Sequence, residues 1–341
     1  MRHTYFAVGL SILASSASAF EIETQRRYAA ENSNQVLRIL STADVEIFEP
    51  IIQAFQQTLP ELSIQYDVAS SADVMTALYD EGIRYDLAIS SAMDLQTKLA
   101  NDGFAQSYTS EITAGLPPWA NWRDEVFAFT QEPAVLVISE AAFTNLPLPT
   151  NREALIDLLR SHPDVFDGRI GTYDVRTSGL GYLFATQDSR NTESFWRLTE
   201  LMGRLRAKLY CCSAAMIEAV RSGELALAYN ALGSYAQPRS ANTPGIKTVE
   251  LEDVTSVMLR TAIIPRNAAE PEVAGQMIDF LLGLNSRPDL TEKTGLPPIA
   301  TPADASENQR PIRLGPGLLV FLDRMRRDTF LRSWTNSIEQ N

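Results

Sequence analysis

The chain has 341 residues and a formal net charge of −13 at neutral pH, with a composition typical of a globular protein. This acidic balance argues against nucleic acid and anionic membrane surfaces as partners, because both repel a negatively charged chain. The length is enough for two lobes of roughly 100–150 residues each.

The N-terminal residues have the pattern of a signal peptide. Arg2 gives a short basic start, residues 6–13 form a brief apolar run, and residues 17–19, Ala-Ser-Ala, are a small-residue cleavage site. The apolar run is too short for a membrane-spanning helix, which needs about 20 residues. We therefore expect residues 1–19 to be cleaved after Ala19 and the mature chain to be exported to the periplasm.

The first third of the mature chain alternates between predicted strands and helices. Residues 20–35 are polar and weakly patterned, which predicts a loose N-terminal arm. Beyond them, apolar alternation predicts strands, and apolar residues at helical spacing predict helices. In chain order the segments are a strand at 36–40, a helix from Pro50 to before Pro60, a strand at 62–68, a helix at 73–79, a strand at 85–89 and a helix at 94–100. This β-α-β-α-β-α order indicates a parallel sheet with crossover helices.

Three loops place hydroxyl groups after predicted strands and before predicted helices. The loops contain Ser41 and Thr42, Ser90 and Ser91, and Thr177, Ser178 and Gly179. Open α/β folds bind ligands at the carboxyl edge of the sheet, where the N–H groups of helix N-termini favour anions. We predict that these residues contact the oxygens of a small, anionic ligand.

Two long extended stretches separate the chain into two α/β units. Residues 126–139 and 254–264 are predicted to cross between the units, and the helices after 264 complete the first unit. The predicted fold class is therefore α/β, with two lobes joined by two hinge crossings. We expect lobe 1 at 20–130 and 260–341, including the C-terminal helices, and lobe 2 at 131–259.

The two cysteines of the chain, Cys211 and Cys212, are adjacent. Their Cα atoms lie about 3.8 Å apart across a trans peptide, below the usual disulfide range of roughly 4.4–6.8 Å. A bond between them would therefore be strained. Two buried or half-buried thiols are one interpretation, and a vicinal disulfide lining the cleft is another.

The order and spacing of these segments resemble a known family. The segments that carry the resemblance are 37–42, the helix to Phe55, Pro60, 64–68, 86–91, 168–172, 224–230 and 274–282. Together they are similar to type 2 periplasmic solute-binding proteins of ABC transporters, in the iron(III)- and phosphate-ester-binding branch. The resemblance implies the two-lobed type 2 periplasmic-binding-protein fold and an ABC permease as the membrane partner, and we expect a monomer.

The resemblance also implies ligand contacts in the second lobe. Asn230 and Tyr235 lie in the strand and loop that face the cleft in that family, and Arg176 is a candidate counter-charge beside the third hydroxyl loop. Ferric-ion binders of this branch carry adjacent tyrosines after the strand that ends here near Tyr229, and this chain has no such pair. We therefore expect a small organic anion, a phosphate ester or a carboxylate, with no metal and no cofactor.

Two alternatives to a transport receptor stay open. One is a sensory binding protein that signals its ligand to a two-component histidine kinase through the kinase ectodomain, and the other is a ferric-ion-binding protein. An enzyme is disfavoured, because the sequence has no phosphate-binding Gly-Lys loop, no His-Glu-x-x-His motif and no Cys-x-x-Cys motif. We expect no catalytic residue.

Overall fold

The computed structural model describes residues 20–31, 33–242, 244–299 and 308–340. The predicted signal peptide and its cleavage site at Ala19 lie outside the described residues. Within the described part of the chain, no helix combines the length and the apolar character needed to span a membrane.

Strands and helices alternate along most of the described chain. The strands are β1 (Thr24–Tyr28), β2 (Gln35–Ser41), β3 (Leu62–Val68), β4 (Leu87–Ser90), β5 (Ala105–Gln106), β6 (Asn121–Trp122), β7 (Val126–Ser139), β8 (Ile170–Tyr173), β9 (Lys208–Tyr210), β10 (Leu227–Leu232), β11 (Ile246–Val249), β12 (Thr255–Pro265) and β13 (Gln309–Pro311). The α-helices are α1 (Val45–Thr58), α2 (Ser71–Met75), α3 (Met93–Asn101), α4 (Glu111–Ala114), α5 (Arg152–Ser161), α6 (Pro163–Phe166), α7 (Gly179–Asn191), α8 (Phe195–Arg204), α9 (Ser213–Arg221), α10 (Gly233–Asn242), α11 (Pro271–Leu282), α12 (Pro288–Thr294) and α13 (Arg324–Ile338). Shorter helical turns occupy Thr76–Asp80, Gly283–Ser286 and Pro316–Phe321.

One continuous sheet connects the two halves of the molecule. Its strand order is β1-β3-β2-β4-β12-β7-β10-β8-β9, with β5 and β13 paired to β12 and with β6 and β11 paired to β7. Strand β2 runs parallel to β3 and β4, and β8 runs parallel to β9 and β10. These parallel pairs are joined through crossover helices, as the alternating sequence pattern predicts.

The long strands β7 and β12 lie in the middle of this sheet, and each of them belongs to both halves of the molecule. Residues 127–133 of β7 pair with β12, whereas residues 134–139 pair with β10 and β11. Strand β12 also pairs with β4 through residues 261–263. The hinge crossings predicted at 126–139 and 254–264 are therefore these two strands, and the predicted two-lobed α/β fold is confirmed.

Each half of the molecule has an apolar core. Apolar residues of α1 recur at helical spacing, and the structure buries Val45, Phe48, Ile51, Ile52 and Phe55. They form one cluster with residues of β2, β3 and α11. A second cluster joins residues of α5, α8 and α13 on the other side of the central strands. A third cluster contains residues of both halves of the molecule, among them Leu40, Tyr173 and Tyr235.

The prediction of a loose arm at residues 20–35 is wrong for β1. Residues Thr24–Tyr28 pair antiparallel with β3 and form the edge of the sheet. All but the last of these residues are exposed. An edge strand of this kind carries no apolar alternation, so the pattern by which strands are recognised is missing.

The C-terminal helix packs on the side of the sheet that contains α5 and α8. Phe330, Trp334 and Ile338 of α13 are buried in the same apolar cluster as residues of α8. The predicted lobe limits stay a prediction. This packing favours placing residues 324–338 with the lobe predicted at 131–259.

Candidate functional site

A cavity of about 220 Å³ lies between the two halves of the molecule that the sheet connects. Hydroxyl groups from both sides line it, Thr42 and Ser91 from the first side and Thr177, Ser178 and Tyr235 from the second. All five belong to the residues predicted to bind the ligand. The structure brings them together from distant parts of the sequence, and their contact with a ligand stays a prediction.

Thr42 and Ser91 are held side by side at the ends of β2 and β4. The Ser91 backbone N–H donates to Thr42 Oγ1 at 3.0 Å, and the two hydroxyl oxygens are 3.4 Å apart. The Thr42 N–H donates to the Ile89 carbonyl at 3.1 Å. These bonds fix both hydroxyls at the cavity wall without help from a ligand.

The preceding hydroxyls, Ser41 and Ser90, support the loops instead. Both side chains are buried. Ser41 Oγ accepts the Ala43 N–H at 3.0 Å, and Ser90 Oγ accepts the Ala92 N–H at 3.1 Å. Neither serine is among the described residues that line the cavity, because both hydroxyls are used in these local turns.

The third hydroxyl loop lies at the N-terminus of α7. Ser178 lines the cavity, and its Oγ also accepts the Gly181 N–H at 3.2 Å, which caps the helix. The Gly179 N–H donates to Ser71 Oγ, on the opposite side of the cavity, at 3.0 Å. Gly179 is therefore a contact between the two sides, and the described lining does not include it.

The structure places two further predicted site residues away from the cavity. Arg176 forms ion pairs with Asp174, at 2.8 Å, and with Glu339. Asn230 Nδ2 donates to Asp188 Oδ2 at 2.8 Å in a buried network. Neither Arg176 nor Asn230 is among the described lining residues, because carboxylates of the protein already bind both side chains.

Tyr235 connects the second side of the cavity to the first. Its hydroxyl oxygen accepts the Asp44 N–H at 3.2 Å, so its own O–H proton remains for a ligand oxygen. Burial raises the pKa of Tyr235, and the phenol therefore stays neutral and able to donate near neutral pH. Asp44 also lines the cavity, as does Glu23, and burial raises the pKa of both carboxyl groups.

Arg260 lines the cavity and was missed in the sequence analysis. Its Nε donates to Glu132 Oε1 at 2.8 Å, and its Nη2 donates to Glu132 Oε2 at 3.0 Å. The hydroxyls of Thr130 and Ser234 donate to the same carboxylate. Burial alone lowers the pKa of Arg260, but the adjacent Glu132 outweighs it, and the net shift is upward, so the guanidinium keeps its charge.

One nitrogen of this guanidinium forms no hydrogen bond within the described chain. Arg260 Nη1 is buried and has no hydrogen-bond partner among the described residues. A buried donor without a partner costs about 1–3 kcal/mol, and more when it is charged. The sequence does contain a signal for this residue, because Arg260 is the one charged position in the apolar strand β12.

Cys211 and Cys212 line the second side of the cavity, between β9 and α9. Both are free and exposed, which corrects the interpretation of two buried or half-buried thiols. Their Sγ atoms are 2.9 Å apart. Desolvation of its sulfur, together with the contact to Cys211, raises the pKa of Cys212 to about 12.

The cavity thus combines many hydrogen-bond donors with one buried cation. Within the described ranges, no group of three or more His, Cys, Asp or Glu side chains lies close enough to hold a metal ion.

Comparison with known proteins gave matches to one family and to several solved structures. Residues 37–293 match the family described as bacterial extracellular solute-binding protein. Among solved structures, the substrate-binding protein of an ABC transporter from Agrobacterium tumefaciens is 32% identical, with a TM-score of 0.87, over 94% of this chain and 100% of that chain. The comparison with curated proteins gave no significant match.

More distant structures share the fold. AfuA from Actinobacillus pleuropneumoniae, with exogenous fructose-6-phosphate bound, is 14% identical, with a TM-score of 0.73, over 91% of this chain and 100% of that chain. Iron-bound HitA from Pseudomonas aeruginosa is 18% identical, with a TM-score of 0.67, over 89% of this chain and 99% of that chain. At these identities the likeness concerns the fold alone.

Proposed function

This chain belongs to the bacterial extracellular solute-binding protein family, and on that premise we propose that it captures a small organic anion for uptake by an ABC permease. The ligand is a phosphate ester or a carboxylate that binds in the periplasm between the two lobes. Closure of the lobes about β7 and β12 produces the form that the permease recognises.

The observation that carries this proposal is the unpartnered nitrogen of Arg260. Its other two nitrogens, Nε and Nη2, donate to Glu132, and Nη1 is buried without a partner among the described residues, in a side chain that lines the cavity. A ligand oxygen with negative charge would complete this guanidinium and form a charge-assisted hydrogen bond. An uncharged ligand would satisfy the nitrogen less well.

Two helix N-termini reinforce this preference. The helices α7 and α9 begin next to Ser178 and Cys212, which both line the cavity. Helix N-termini carry partial positive charge, so they favour anions. The hydroxyls of Thr42, Ser91 and Thr177 add neutral donors around the same space.

The carboxyl groups in the wall narrow the ligand class. Asp44 and Glu23 are acceptors when ionised, and they oppose a ligand that carries only negative charge. Their presence favours a ligand that also has hydroxyl or ammonium donors, such as a sugar phosphate or a hydroxy acid. A volume of about 220 Å³ is below the range of roughly 300–1,000 Å³ for drug-sized ligands, which indicates a small metabolite.

Two structural relatives hold ligands of different types, a sugar phosphate and iron. AfuA, which shares this fold, holds fructose-6-phosphate, and HitA, which also shares it, holds iron. The described part of this chain has no group of three or more His, Cys, Asp or Glu side chains that could hold a metal ion, and the sequence lacks the adjacent tyrosines that ferric-ion binders carry after the strand that ends near Tyr229. We therefore favour the organic anion over the ferric ion, and the sensory alternative, which would use the same cavity, stays a prediction.

A thermal-shift panel on the mature chain tests the proposal. The panel contains fructose 6-phosphate, other sugar phosphates, sugar acids and Fe(III). We expect at least one phosphate ester or carboxylate to stabilise the protein, by about 2.7 kcal/mol at a concentration 100 times its Kd. If none does, or if iron alone gives a stable coloured complex, the proposed ligand class is wrong.

A pair of substitutions tests the role of the guanidinium. Arg260→Gln combined with Glu132→Gln removes both charges together, so that no buried charge is left alone. We expect this variant to bind the stabilising compound at least about tenfold more weakly, since a hydrogen bond to a charged group is worth about 1.5–3 kcal/mol. The control is Arg206→Gln, because Arg206 pairs with Asp167 on the surface and its side chain is 74% exposed.

A further inference from the structure

The two cysteines of this chain form a contiguous sulfur surface in the cavity wall. Cys211 and Cys212 both line the cavity, both are exposed, and their Sγ atoms are 2.9 Å apart. The sequence contains no third cysteine. Each thiol therefore has one possible partner within the chain, which is the other.

The backbone on either side of the pair is held in place. On the N-terminal side, β9 pairs with β8, and the Tyr210 carbonyl accepts the Asp174 N–H at 2.9 Å. On the C-terminal side, Ser213 Oγ lies 2.5 Å from the Tyr173 hydroxyl oxygen and accepts the Leu232 N–H at 3.0 Å. These bonds fix the residues that flank the pair and so keep its backbone beside the cavity.

We propose that Cys211 and Cys212 are a thiol–disulfide pair, which a disulfide oxidant closes into a vicinal disulfide in the cavity wall and which thiols reopen. The compartment supports this chemistry, because exported proteins meet an oxidising environment. The proposal concerns the wall of the cavity and does not depend on which ligand the cavity holds.

The exchange proceeds in two steps. The Cys211 thiolate attacks one sulfur of the oxidant, the S–S bond of the oxidant breaks, and one thiolate leaves. The Cys212 thiolate then attacks the Cys211 sulfur of this mixed disulfide and expels the second thiolate. The two protons of the cysteine thiols pass to the two leaving thiolates, so the oxidant gains two electrons and becomes two thiols.

The order of attack follows from the surroundings of the two thiols. The pKa of Cys212 is raised to about 12 by desolvation and by contact with Cys211. Since the thiolate is the nucleophile, Cys212 is a poor first attacker and acts as the resolving thiol.

Adjacent cysteines also make a bond that is easily reduced. Their Cα atoms, about 3.8 Å apart, are closer than in ordinary disulfides, and this strain makes the bond more reducible. Strained and exposed disulfides are the labile and regulatory ones. Closing this pair removes two weak S–H donors from the cavity wall and fixes the peptide between them, so the wall has two reversible states.

The test uses the full mature chain and oxidised glutathione as the oxidant. Thiol titration and intact mass are followed in the wild type and in the single variants Cys211→Ser and Cys212→Ser. We expect the wild type to lose both titratable thiols and two hydrogen atoms in mass, with no glutathione retained. Each single variant has one thiol and no second cysteine to displace glutathione, so it keeps any glutathione that it acquires. Reduced glutathione should restore both thiols of the wild type.

Three results would overturn the proposal. They are a wild type that keeps both thiols, one that retains glutathione as the single variants do, and one that forms disulfide-linked dimers instead of an internal bond. None of these readouts needs a ligand. A failure of the thermal-shift panel would therefore leave the thiol result intact, and the converse also holds.

Discussion

Arg260 and Glu132 form a buried ion pair between β12 and β7, and the side chains are 1% and 0% exposed. Transfer of each ion out of water costs several kcal/mol, which the attraction between the two charges and their additional hydrogen bonds must offset. The pair is therefore weak evidence for high stability. It does make the protein sensitive to the loss of either partner.

We expect Glu132→Gln to lower the free energy of unfolding by about 3–5 kcal/mol, because it leaves the Arg260 charge buried and uncompensated. Urea denaturation measures this loss. The matched control is Glu153→Gln, whose exposed pair with Arg197 should be worth less than about 1 kcal/mol. Similar losses in the two variants would contradict the argument.

Asp94 is another buried ionisable residue, and its carboxyl group forms no ion pair within the described chain. It lies in the first turn of α3, is 3% exposed, and its Oδ1 has no hydrogen-bond partner within the described chain. Burial raises the pKa of Asp94 to about 7, against weaker opposing effects of nearby backbone N–H groups and of Arg327. The folded protein thus holds this proton at pH values where the unfolded chain has released it.

This proton makes stability depend on pH. Because the folded pKa lies above the unfolded value of 3.8, the contribution of Asp94 is complete below pH 3.8 and is lost as pH rises through about 7. We expect Asp94→Asn to remove this loss, which is on the order of 2–4 kcal/mol. Urea denaturation at pH 5 and pH 8 measures it, with the exposed Asp80→Asn as control. If Asp94→Asn keeps the pH dependence of the wild type, another group is responsible.

At the scale of the element, α13 stabilises the part of the molecule that contains α5 and α8, because it packs against α8. Phe330 of this helix lies in contact with Phe195 of α8, with ring centroids 6.3 Å apart, and Trp334 is 3% exposed. We expect Trp334→Ala to destabilise the protein by about 3–5 kcal/mol, the usual cost of truncating a large buried aromatic residue. Met325→Ala in the same helix is the control, because Met325 is 76% exposed. Equal melting temperatures for the two variants would contradict this packing.

The elements that could be predicted from sequence are those whose burial leaves a pattern. Strands β3 and β4 and helix α1 have apolar spacing that follows from their burial, and β7 and β12 are long and apolar because neighbours flank them within the sheet. Strand β1 has one neighbour and an exposed surface, so its sequence is polar. The amphipathic character of α13 is visible in sequence, but the lobe that it packs on depends on tertiary contacts.

The candidate site was predictable only in part, for a similar reason. The hydroxyl loops are visible, but the choice between Ser41 and Thr42 depends on which hydroxyl closes the local turn. Arg176 and Asn230 have carboxylate partners that come from distant segments. Arg260 lies in a strand that the sequence predicts only as a crossing between the two lobes. Its proximity to the cavity follows from the pairing of β12 with β7.

At the scale of the whole molecule, two hydrogen bonds hold the sides of the cavity together. The Gly179 N–H bonds to Ser71 Oγ at 3.0 Å, and the Asp44 N–H bonds to the Tyr235 hydroxyl oxygen at 3.2 Å. A Cβ at position 179 would lie 2.6 Å from Ser71 Oγ and 3.0 Å from Leu95 Cδ1. The absence of a side chain there permits this close approach.

We expect Gly179→Ala to hold the lobes apart and to weaken binding of the stabilising compound by roughly tenfold, because a smaller fraction of the protein can close. Titration calorimetry measures the affinity, and small-angle scattering measures the radius of gyration. Ser71→Gly should restore closure in the same chain. Gly317→Ala, where a Cβ meets nothing within 4 Å, is the control. Unchanged affinity and dimensions in Gly179→Ala would exclude this contact as a determinant of closure.

The shared central strands also govern the order in which the molecule can assemble. Strand β4 pairs with β12 between Ser90 and Thr261, so the sheet of the N-terminal side cannot be completed until most of the chain is available. Contacts between residues so distant in sequence have a high loop-closure cost and slow folding. An N-terminal segment emerging from the ribosome therefore cannot complete its native sheet alone. For a family whose members work outside the cell, we expect this dependence on late strands to slow folding of the chain before export.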